Sequence, residues 1–243
     1  MVAKPKTKKS DPPQPARKPL WRRILTWFLR GLGLLAAFYF LLIFLFSFLP
    51  PPGNIYQWQE SWRLGGIDRE WVNWDDIAPA MGRSVVAGED ANFCLHWGFD
   101  MQAIRDAIKT GANRGASTID QQVVKNVLLW QNRSWLRKAM EALLTPVVEV
   151  MWSKQRILEV YLNEAEFAEG VFGVQAAAQK LFHVDARDLT PTQAARLAAS
   201  LPNPKEYNAA KPGAYVRNRA RQIISGADTI AADGRASCFE VKD

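Results

Sequence analysis

The first group of residues that could do chemistry is the segment Glu89–Gly98, which reads EDANFCLHWG. If this segment is helical, Glu89, Phe93 and His96 share one face, because they fall at positions i, i+4 and i+7. Loss of hydration beside an aromatic ring raises the pKa of a carboxyl group and suits that group to proton transfer. Taken alone, the segment fits at least as well an acid near a helix start and a structural histidine in the core.

The second group is a polar stripe in the segment 115–126, which reads GASTIDQQVVKN. Gln121 and Lys125 lie one helical turn apart, and Gln122 and Asn126 repeat that spacing. A glycine-containing entry to a helix start is also a favourable place for an anion, because free backbone N–H groups point outward there. The alternative is a solvated helix face that carries a good N-terminal cap.

The third group is a cluster of cations. Arg133, Arg137 and Lys138 lie within six residues of one another, and Glu141 follows them. Together with Lys125 they could bind a diphosphate through charge-assisted hydrogen bonds, for which guanidinium groups are geometrically suited. A run of surface salt bridges is the alternative for this segment taken alone.

The elements that must position these groups are predicted to be helical from about Trp71 onward. Helix-start signals with a hydroxyl residue as the cap occur at three places: Ser117 with Asp120, Ser153, and Thr190 with Gln193. Apolar residues then recur at intervals of three and four residues. We therefore predict a mainly α domain over 66–225, a polar C-terminal tail over 226–243, and no extended structure beyond a short piece near 58–64.

The net charge of +7 is concentrated near the N-terminus, where residues 1–23 hold eight lysines or arginines and one acid. From Gly31 onward the chain has 22 basic and 23 acidic residues, so a nucleic-acid-binding surface is not indicated. The N-terminal segment is rich in proline and lysine and cannot bury a core. We predict that residues 1–23 are a disordered cytoplasmic tail.

Residues 24–49 are predicted to form one transmembrane helix. Gly31–Leu49 is 19 uncharged, mostly apolar residues, and a bilayer core of ~30 Å needs roughly 20 in a helix. A cleaved signal peptide is the competing interpretation, but its apolar core has about 7–15 residues and a small-residue cleavage pattern follows it. The positive-inside rule then places everything after the helix outside the cytoplasm. Residues 50–65 are predicted to be a linker.

The two cysteines, Cys94 and Cys238, both fall in the part predicted to be exported, where a disulfide is permitted. The sequence leaves their pairing open. Neither has a cysteine or histidine partner at the spacing of a metal site. We assign neither of them a functional role.

Taken in order, the three groups resemble motifs of the peptidoglycan glycosyltransferases, also called the penicillin-binding-protein transglycosylase family. The pattern continues with KQRILEVYLN at 154–163, GVFG at 170–173, the alanines at 176–178 and LPNP at 201–204. The match covers about residues 71–207 at five motifs. The segment 129–138 looks most like the monofunctional biosynthetic form, and the Ser-x-x-Lys motif of a transpeptidase does not occur.

The resemblance implies an enzyme that polymerises lipid II into β-1,4-linked glycan strands, with inversion at the anomeric carbon and release of undecaprenyl diphosphate. Glu89 matches the family's base for the attacking 4-hydroxyl, and Glu141 matches the second functional glutamate near the leaving group. The matched substrate-binding positions are Lys125, Arg133 and Arg137 for the diphosphate, and Ser117, Gln121 and Asn126 for the groove. No cofactor is required and no metal cage is expected, although Mg²⁺ or Mn²⁺ can assist at the diphosphate in some members.

The fold implied by the resemblance is a lysozyme-like helical domain with a small lobe that dips into the membrane, expected within 97–114. The implied location is a bacterial inner membrane with the catalytic domain in the periplasm. The implied partners are lipid II, the growing glycan chain and the bilayer, with other cell-wall synthesis or division proteins as further candidates. Asp120, Pro146 and Leu181 depart from the family pattern. Asp120 fits the capping box and need not affect activity, but an added negative charge near a diphosphate could weaken binding. A proline at 146 could kink its helix.

Two other functions fit parts of the sequence. A lysozyme-type glycan hydrolase would also use a lone glutamate such as Glu89, but a neutral polysaccharide offers no diphosphate for Lys125, Arg133 and Arg137. A non-catalytic membrane scaffold would have no reason to keep these cations together with Glu89 and Glu141. Formation of polymer from lipid II would separate the three functions.

Overall fold

The computed structural model describes residues 19–110 and 117–240, apart from the side chain of Thr110. The chain divides into a unit that ends at Leu41 and a unit that begins at Leu42. The predicted transmembrane segment is one helix, α1, Leu20–Phe46, which is long and apolar enough to cross a membrane. It begins inside the predicted disordered tail, of which residues 1–18 lie outside the described part of the chain. A signal sequence passes the same test of length and composition.

The prediction of a mainly helical domain is confirmed. The helices after α1 are α2 Ile55–Leu64, α3 Pro79–Glu89, α4 Met101–Thr110, α5 Ile119–Val123, α6 Trp135–Met151, α7 Lys154–Glu164, α8 Val174–Phe182, α9 Pro191–Ser200 and α10 Ala214–Asp233. A π-helical turn, Val124–Leu128, continues α5. Three short strands form a small sheet in the order β1-β3-β2: β1 Asp68–Arg69, β2 Glu166–Ala168 and β3 Val171–Phe172. Strand β3 pairs parallel with β1 and antiparallel with β2.

Helices α3, α9 and α10 pack against one another and form a large part of the core. Val85 on α3, Leu197 on α9 and Ile223 on α10 are all buried. A Cβ atom on Gly88 would lie 3.3 Å from Ile223 Cδ1, so the glycine allows α3 and α10 to approach closely. This packing fixes the end of α3, where Glu89 is the last residue.

Residues 50–65 were predicted to be a linker with a short extended piece near 58–64. That prediction is wrong from Ile55 onward, where the chain forms α2. Asn54 caps this helix in a reciprocal capping box with Gln57. Asn54 Nδ2 and Gln57 Nε2 also donate to Glu164 Oε2 at 2.8 and 2.9 Å. The buried side of α2 is therefore polar and hydrogen-bonded, while Trp58 and Trp62 on the helix are 71% and 89% exposed. This reversal explains why the sequence pattern did not predict a packed helix.

The predicted C-terminal tail 226–243 is also wrong over the residues that the structure describes. Helix α10 runs without a break past 225 to Asp233. Phe239 is buried, and its ring centroid lies 6.3 Å from that of Phe93 and 6.1 Å from that of Trp74. Cys94 and Cys238 form a disulfide that ties this end of the chain to the segment after Glu89. The C-terminal segment is thus part of the folded domain.

The helix-start predictions are confirmed at Ser153 and at Thr190 with Gln193. At the third place the cap is Thr118 with Gln121, one residue later than predicted, because Thr118 and not Ser117 accepts the N3 amide. Helix α6 continues through Pro146 to Met151. The lobe expected within 97–114 stays a prediction, since residues 111–116 lie outside the described residues.

Candidate active site

Glu89 lies at the end of a helix instead of within one. Asp90 is the C-cap of α3 with an extended φ of −155°, and a short 3₁₀ turn spans Phe93–Leu95. The predicted helical face shared by Glu89, Phe93 and His96 is therefore wrong. The aromatic ring of Phe93 is instead buried in the core against Phe239.

Asp90 connects the end of α3 to the start of α5. Its carboxylate lies 2.9 Å from His96 Nε2 and accepts a hydrogen bond from the Ile119 backbone N–H at 3.0 Å. His96 is thus a structural partner of Asp90, as in the alternative interpretation of the first motif. The arrangement holds the first two motifs side by side, although about 30 residues separate them.

Glu89 has one direct hydrogen-bond donor among the described side chains. Gln122 Nε2 donates to Glu89 Oε2 at 3.2 Å, and Tyr161 Oη donates to Gln122 Oε1 at 3.3 Å. Burial raises the pKa of Glu89, while the Gln122 hydrogen bond and the positive charges of Arg219 and Lys125 act in the opposite direction. The carboxyl group is thus more basic than in water, and an amide orients it.

Glu89 lines a cavity of about 240 Å³ together with Asn92, Asp100, Ser117 and Thr118. A second cavity of about 650 Å³ lies beside it, and Ser117 lines both. The lining of the second cavity is mostly polar and cationic: Ser117, Gln121, Gln122, Lys125, Gln131, Arg133, Ser134, Trp135, Arg137, Lys138 and Glu141. We call it the cationic cleft. Its volume falls within the range of small-molecule sites in proteins, about 300–1,000 Å³.

Glu141 is the one acid in the described lining of the cationic cleft, and it is almost fully buried. Arg137 Nη1 donates to Glu141 Oε2 at 2.9 Å, and Lys138 Nζ is paired with Glu141 Oε1. The N-cap Ser134 fixes the start of α6 by accepting from the Arg137 backbone N–H. These contacts hold two cations in defined positions at the cleft.

Lys125 lies on the π-helical turn that follows α5. Burial, and after it the charge of Arg137, lowers the pKa of the Lys125 ammonium, while Glu141 and Glu89 partly oppose these effects. An anion in the cleft would relieve the repulsion between the two cations. A π-helical insertion is frequently found at functional sites because it re-aims side chains within a helix.

The structure brings most of the predicted site residues together. Glu89 lines the smaller cavity, and Ser117, Gln121, Lys125, Arg133, Arg137 and Glu141 line the cationic cleft. Gln121 also caps α5, where its side chain accepts from the Thr118 backbone N–H. Asn126 is the exception, since it is absent from the described linings and its side-chain Oδ1 accepts from Gln131 Nε2 at 3.1 Å.

Three residues near the two glutamates were given no role from the sequence: Gln122, Tyr161 and Arg219. Gln122 lies between assigned residues in its motif, so the motif pattern contained a signal for it. Tyr161 and Arg219 come from α7 and α10, far along the chain. Arg219 donates to the Gly88 carbonyl at 2.7 Å, a contact that only the packing of α3 on α10 reveals.

Asp120 faces the core and is absent from the described lining of the cationic cleft, so an effect on diphosphate binding stays a prediction. It is fully buried, and Lys154 Nζ lies 3.1 Å from its Oδ1. Asp120, Asp90 and His96 offer potential metal-ligand atoms within 4.8 Å of one another. The Asp90 carboxylate pairs with His96, and Asp120 Oδ1 accepts a hydrogen bond from Lys154 Nζ, so both carboxyl groups already have partners within the protein.

The described lining of the cationic cleft offers no unpaired carboxylate that could hold a metal ion. Carboxylate oxygens are the ligands that Mg²⁺ and Mn²⁺ prefer. The one acid in the described lining, Glu141, already pairs with Arg137 and Lys138. A divalent cation would need oxygen ligands from the substrate itself.

Known proteins resemble this chain over most of its length. A sequence model of the Transglycosylase family matches residues 59–228, from within α2 to within α10. A biosynthetic peptidoglycan transglycosylase of Jannaschia sp. (strain CCS1) is 59% identical over 213 residues, which are 88% of this chain and 89% of the relative. A relative of the same name in Xanthomonas campestris pv. campestris (strain B100) is 44% identical over 93% of this chain and 95% of the relative. Another in Pseudomonas entomophila (strain L48) is 47% identical over 83% of this chain and 86% of the relative. The helical lysozyme-like domain described above thus belongs to a member of the peptidoglycan transglycosylase family.

Proposed function

We propose that this chain polymerises lipid II into β-1,4-linked glycan strands and releases undecaprenyl diphosphate. The observation that carries the proposal is the adjacency of two cavities at Ser117, one that holds Glu89 and one that is lined by cations. Transfer of a glycosyl group from a diphosphate needs a base for the attacking hydroxyl and fixed positive charge for the leaving group. The two cavities offer these groups separately and next to each other.

In the proposed step, Glu89 accepts the proton of the acceptor 4-hydroxyl while that oxygen forms a bond to the anomeric carbon of the donor. The bond from the anomeric carbon to the diphosphate oxygen breaks at the same time, so an α-linked donor gives a β product. The raised pKa of Glu89 strengthens it as a base. Gln122 holds the carboxylate in one orientation through its hydrogen bond.

The leaving diphosphate gains negative charge in this step, and we assign its stabilisation to Lys125, Arg133, Arg137 and Lys138. Fixed cations in a site with little water stabilise developing charge more than water does, because they need no reorganisation during the reaction. We assign Glu141 a positioning role, because its ion pairs with Arg137 and Lys138 determine where these two side chains present their N–H groups. Mg²⁺ or Mn²⁺, where present, would enter with the diphosphate.

We place the protein in the inner membrane of a bacterium, with residues 1–23 in the cytoplasm and the domain after α1 in the periplasm. The eight basic residues of the segment 1–23 support this orientation. We infer that the helix is retained in the mature protein as an anchor, because a substrate with a long lipid tail does not leave the bilayer. The growing glycan chain stays attached to the same kind of lipid.

The test is a polymerisation assay with the purified full-length protein and labelled lipid II. We expect the wild type to form glycan strands and Glu89→Gln to be slower by about 10²–10⁴-fold, the usual contribution of a general base. Glu206→Gln, a change of an exposed acid, is the matched control and should keep full activity. If lipid II stays monomeric with the wild type, or if preformed glycan is shortened, the proposal is wrong.

A further inference from the structure

The chain has little regular structure directly after Glu89. Between the end of α3 and the start of α4 the described backbone forms one 3₁₀ turn, Phe93–Leu95. Ala91 in this stretch lines the cavity that holds Glu89. A stretch without a helix or strand of its own takes its position from tertiary contacts. The wall of the cavity beside Glu89 therefore depends on what residues 90–98 contact.

Arg235, near the C-terminal end of the described chain, holds the backbone in this stretch. Its Nη1 donates to the Ala91 carbonyl oxygen at 3.0 Å, across 144 residues of sequence. Its Nε donates to Asp233 Oδ2 at 2.8 Å, and its Nη2 pairs with the same carboxylate oxygen. Asp233 is the last residue of α10. The guanidinium is therefore fixed at the end of α10, from where it reaches Ala91.

Two further contacts from the same segment hold the residues that come next. The disulfide joins Cys238 to Cys94 with a Cα–Cα distance of 5.6 Å. The neighbouring ring of Phe239 is buried and packs against the ring of Phe93. A hydrogen bond, a covalent bond and an aromatic contact thus act on residues 91–94, all of them within five positions of Glu89.

The segment 235–240 also contacts the helix that carries Glu89. Glu240 Oε1 lies 3.3 Å from Arg83 Nε on α3. A Cβ atom on Gly82 would lie 3.6 Å from Phe239 Cε2, so the glycine lets this ring approach α3 closely. One short segment therefore contacts the chain both before and after Glu89. It begins after residue 228, where the match to the family model ends.

We propose that the segment 235–240 positions Glu89 for the transfer step by fixing the backbone on both sides of it. None of its residues is part of the described linings of the cationic cleft and the Glu89 cavity. The segment thus acts through the backbone and does not touch the substrate. The inference rests on the proposed function, in which Glu89 is the base, and adds positioning residues outside the two cavities.

A positioning role predicts a loss in kcat without a matching change in KM. A displacement of a catalytic group by about 1 Å can lower the rate about 100-fold. The described contacts of the segment do not include Lys125, Arg133 or Arg137, the cations assigned to the diphosphate. Binding of the lipid-linked donor should therefore stay the same when the segment is loosened.

A positioning role also predicts a change in the pH dependence. Burial is the largest cause that raises the pKa of Glu89, and a looser cavity wall would admit water and weaken this effect. The acid limb of kcat/KM should then move to lower pH. The described charged and titratable groups around Glu89 are Asp90, Lys125, Tyr161 and Arg219, and the variants below leave all four unchanged.

The first test is polymerisation of labelled lipid II by full-length Arg235→Gln, which loses the charged donor to Ala91. Rates are measured at a temperature where circular dichroism shows each protein to be folded. We expect kcat to fall about tenfold, KM to stay within twofold, and the acid limb to move to lower pH. Arg221→Gln is the matched control, because this exposed arginine of α10 bonds to Asn218 on the same helix. It should behave as the wild type.

The second test removes the covalent bond. Cys94→Ser/Cys238→Ser should show the same three changes, and Ser237→Ala, at the exposed neighbour of Cys238, should show none of them. If the double variant does not fold, Arg235→Gln decides the matter alone, since that change leaves the disulfide in place.

Three results would overturn the inference. They are a kcat of Arg235→Gln within twofold of the wild type, a rise in KM that accounts for the loss, and a loss that is equal at every pH. The last would indicate a structural role alone, because a smaller amount of intact enzyme lowers the rate without moving the acid limb. Absence of polymer from the wild type would instead overturn the proposed function.

Discussion

The hydrogen bond from Gln122 to Glu89 predicts that Gln122→Met shifts the pH dependence of polymerisation. Methionine has a similar shape but cannot donate to the carboxylate. The ionised form of Glu89 then loses its one described side-chain donor. Because the bond favours the ionised form and lowers the pKa, its loss should raise the pKa of Glu89 further.

The size of the shift follows from the geometry. A hydrogen bond to a charged group contributes about 1.5–3 kcal/mol, and the distance of 3.2 Å places this one at the low end. A contribution of about 1.5 kcal/mol corresponds to about one pKa unit. Glu89 must be ionised to act as a base, so the acid limb of kcat/KM should move upward by about one pH unit. The rate on that limb should fall about tenfold, and the rate at high pH should change little.

The assay is initial-rate polymerisation of lipid II across the pH range, with Tyr161→Phe as the matched control. That variant loses only the donor to Gln122 Oε1 and keeps the contact between Gln122 and Glu89. Its acid limb should stay close to that of the wild type. A Gln122→Met profile that drops equally at every pH, or an acid limb that stays in place, would refute the role of this hydrogen bond.

Two further predictions concern stability, and urea unfolding at a series of pH values tests both. Burial raises the pKa of Asp120 to about 7, so the folded state holds a proton that the unfolded state releases above about pH 4. The stability of the wild type should therefore fall between pH 4 and 7, and Asp120→Asn should lack this fall. Parallel stability profiles of the two proteins would contradict the assignment. The Cys94–Cys238 disulfide joins residues 144 positions apart, so Cys94→Ser/Cys238→Ser should lower the free energy of unfolding by about 2–4 kcal/mol. Reduction of the wild type should give the same loss, and an unchanged midpoint would contradict it.

The chemistry of the candidate site could be predicted from the sequence because its parts lie in short motifs. Glu89, Lys125, Arg137 and Glu141 were each marked by type and by local spacing, and the fold brings them to two adjoining cavities. Ser153 likewise signalled the start of α7, since a cap depends only on nearby backbone. Local rules located these residues, and the resemblance to the family supplied the roles of the four in the candidate site.

The features that escaped prediction depend on partners far along the chain. Asp120 falls in a polar stretch, yet its side chain is buried and accepts a hydrogen bond from Lys154, 34 residues later. The polar inner side of α2 becomes stable only because Glu164 accepts its hydrogen bonds. The disulfide partner of Cys94 is separated from it by almost the whole domain. Periodicity and propensity carry no information about such contacts.

The contacts of Trp152 and Arg156 with the end of α1 also decide where the anchor can be removed or exchanged. The last carbonyls of a helix have no partners within it, and here Arg156 donates to that of Phe46, the last residue of α1. Arg156 also donates to the carbonyl of Leu49, three residues after the helix. Trp152 Nε1 donates to the Ile43 carbonyl at 2.7 Å. A version cut at Pro50 would leave the Trp152 indole N–H and the Arg156 guanidinium without these acceptors. The folded unit itself begins at Leu42. A soluble form, or a chimera with a foreign membrane helix, should therefore be joined at residue 41 and keep residues 42–49 as part of the enzyme.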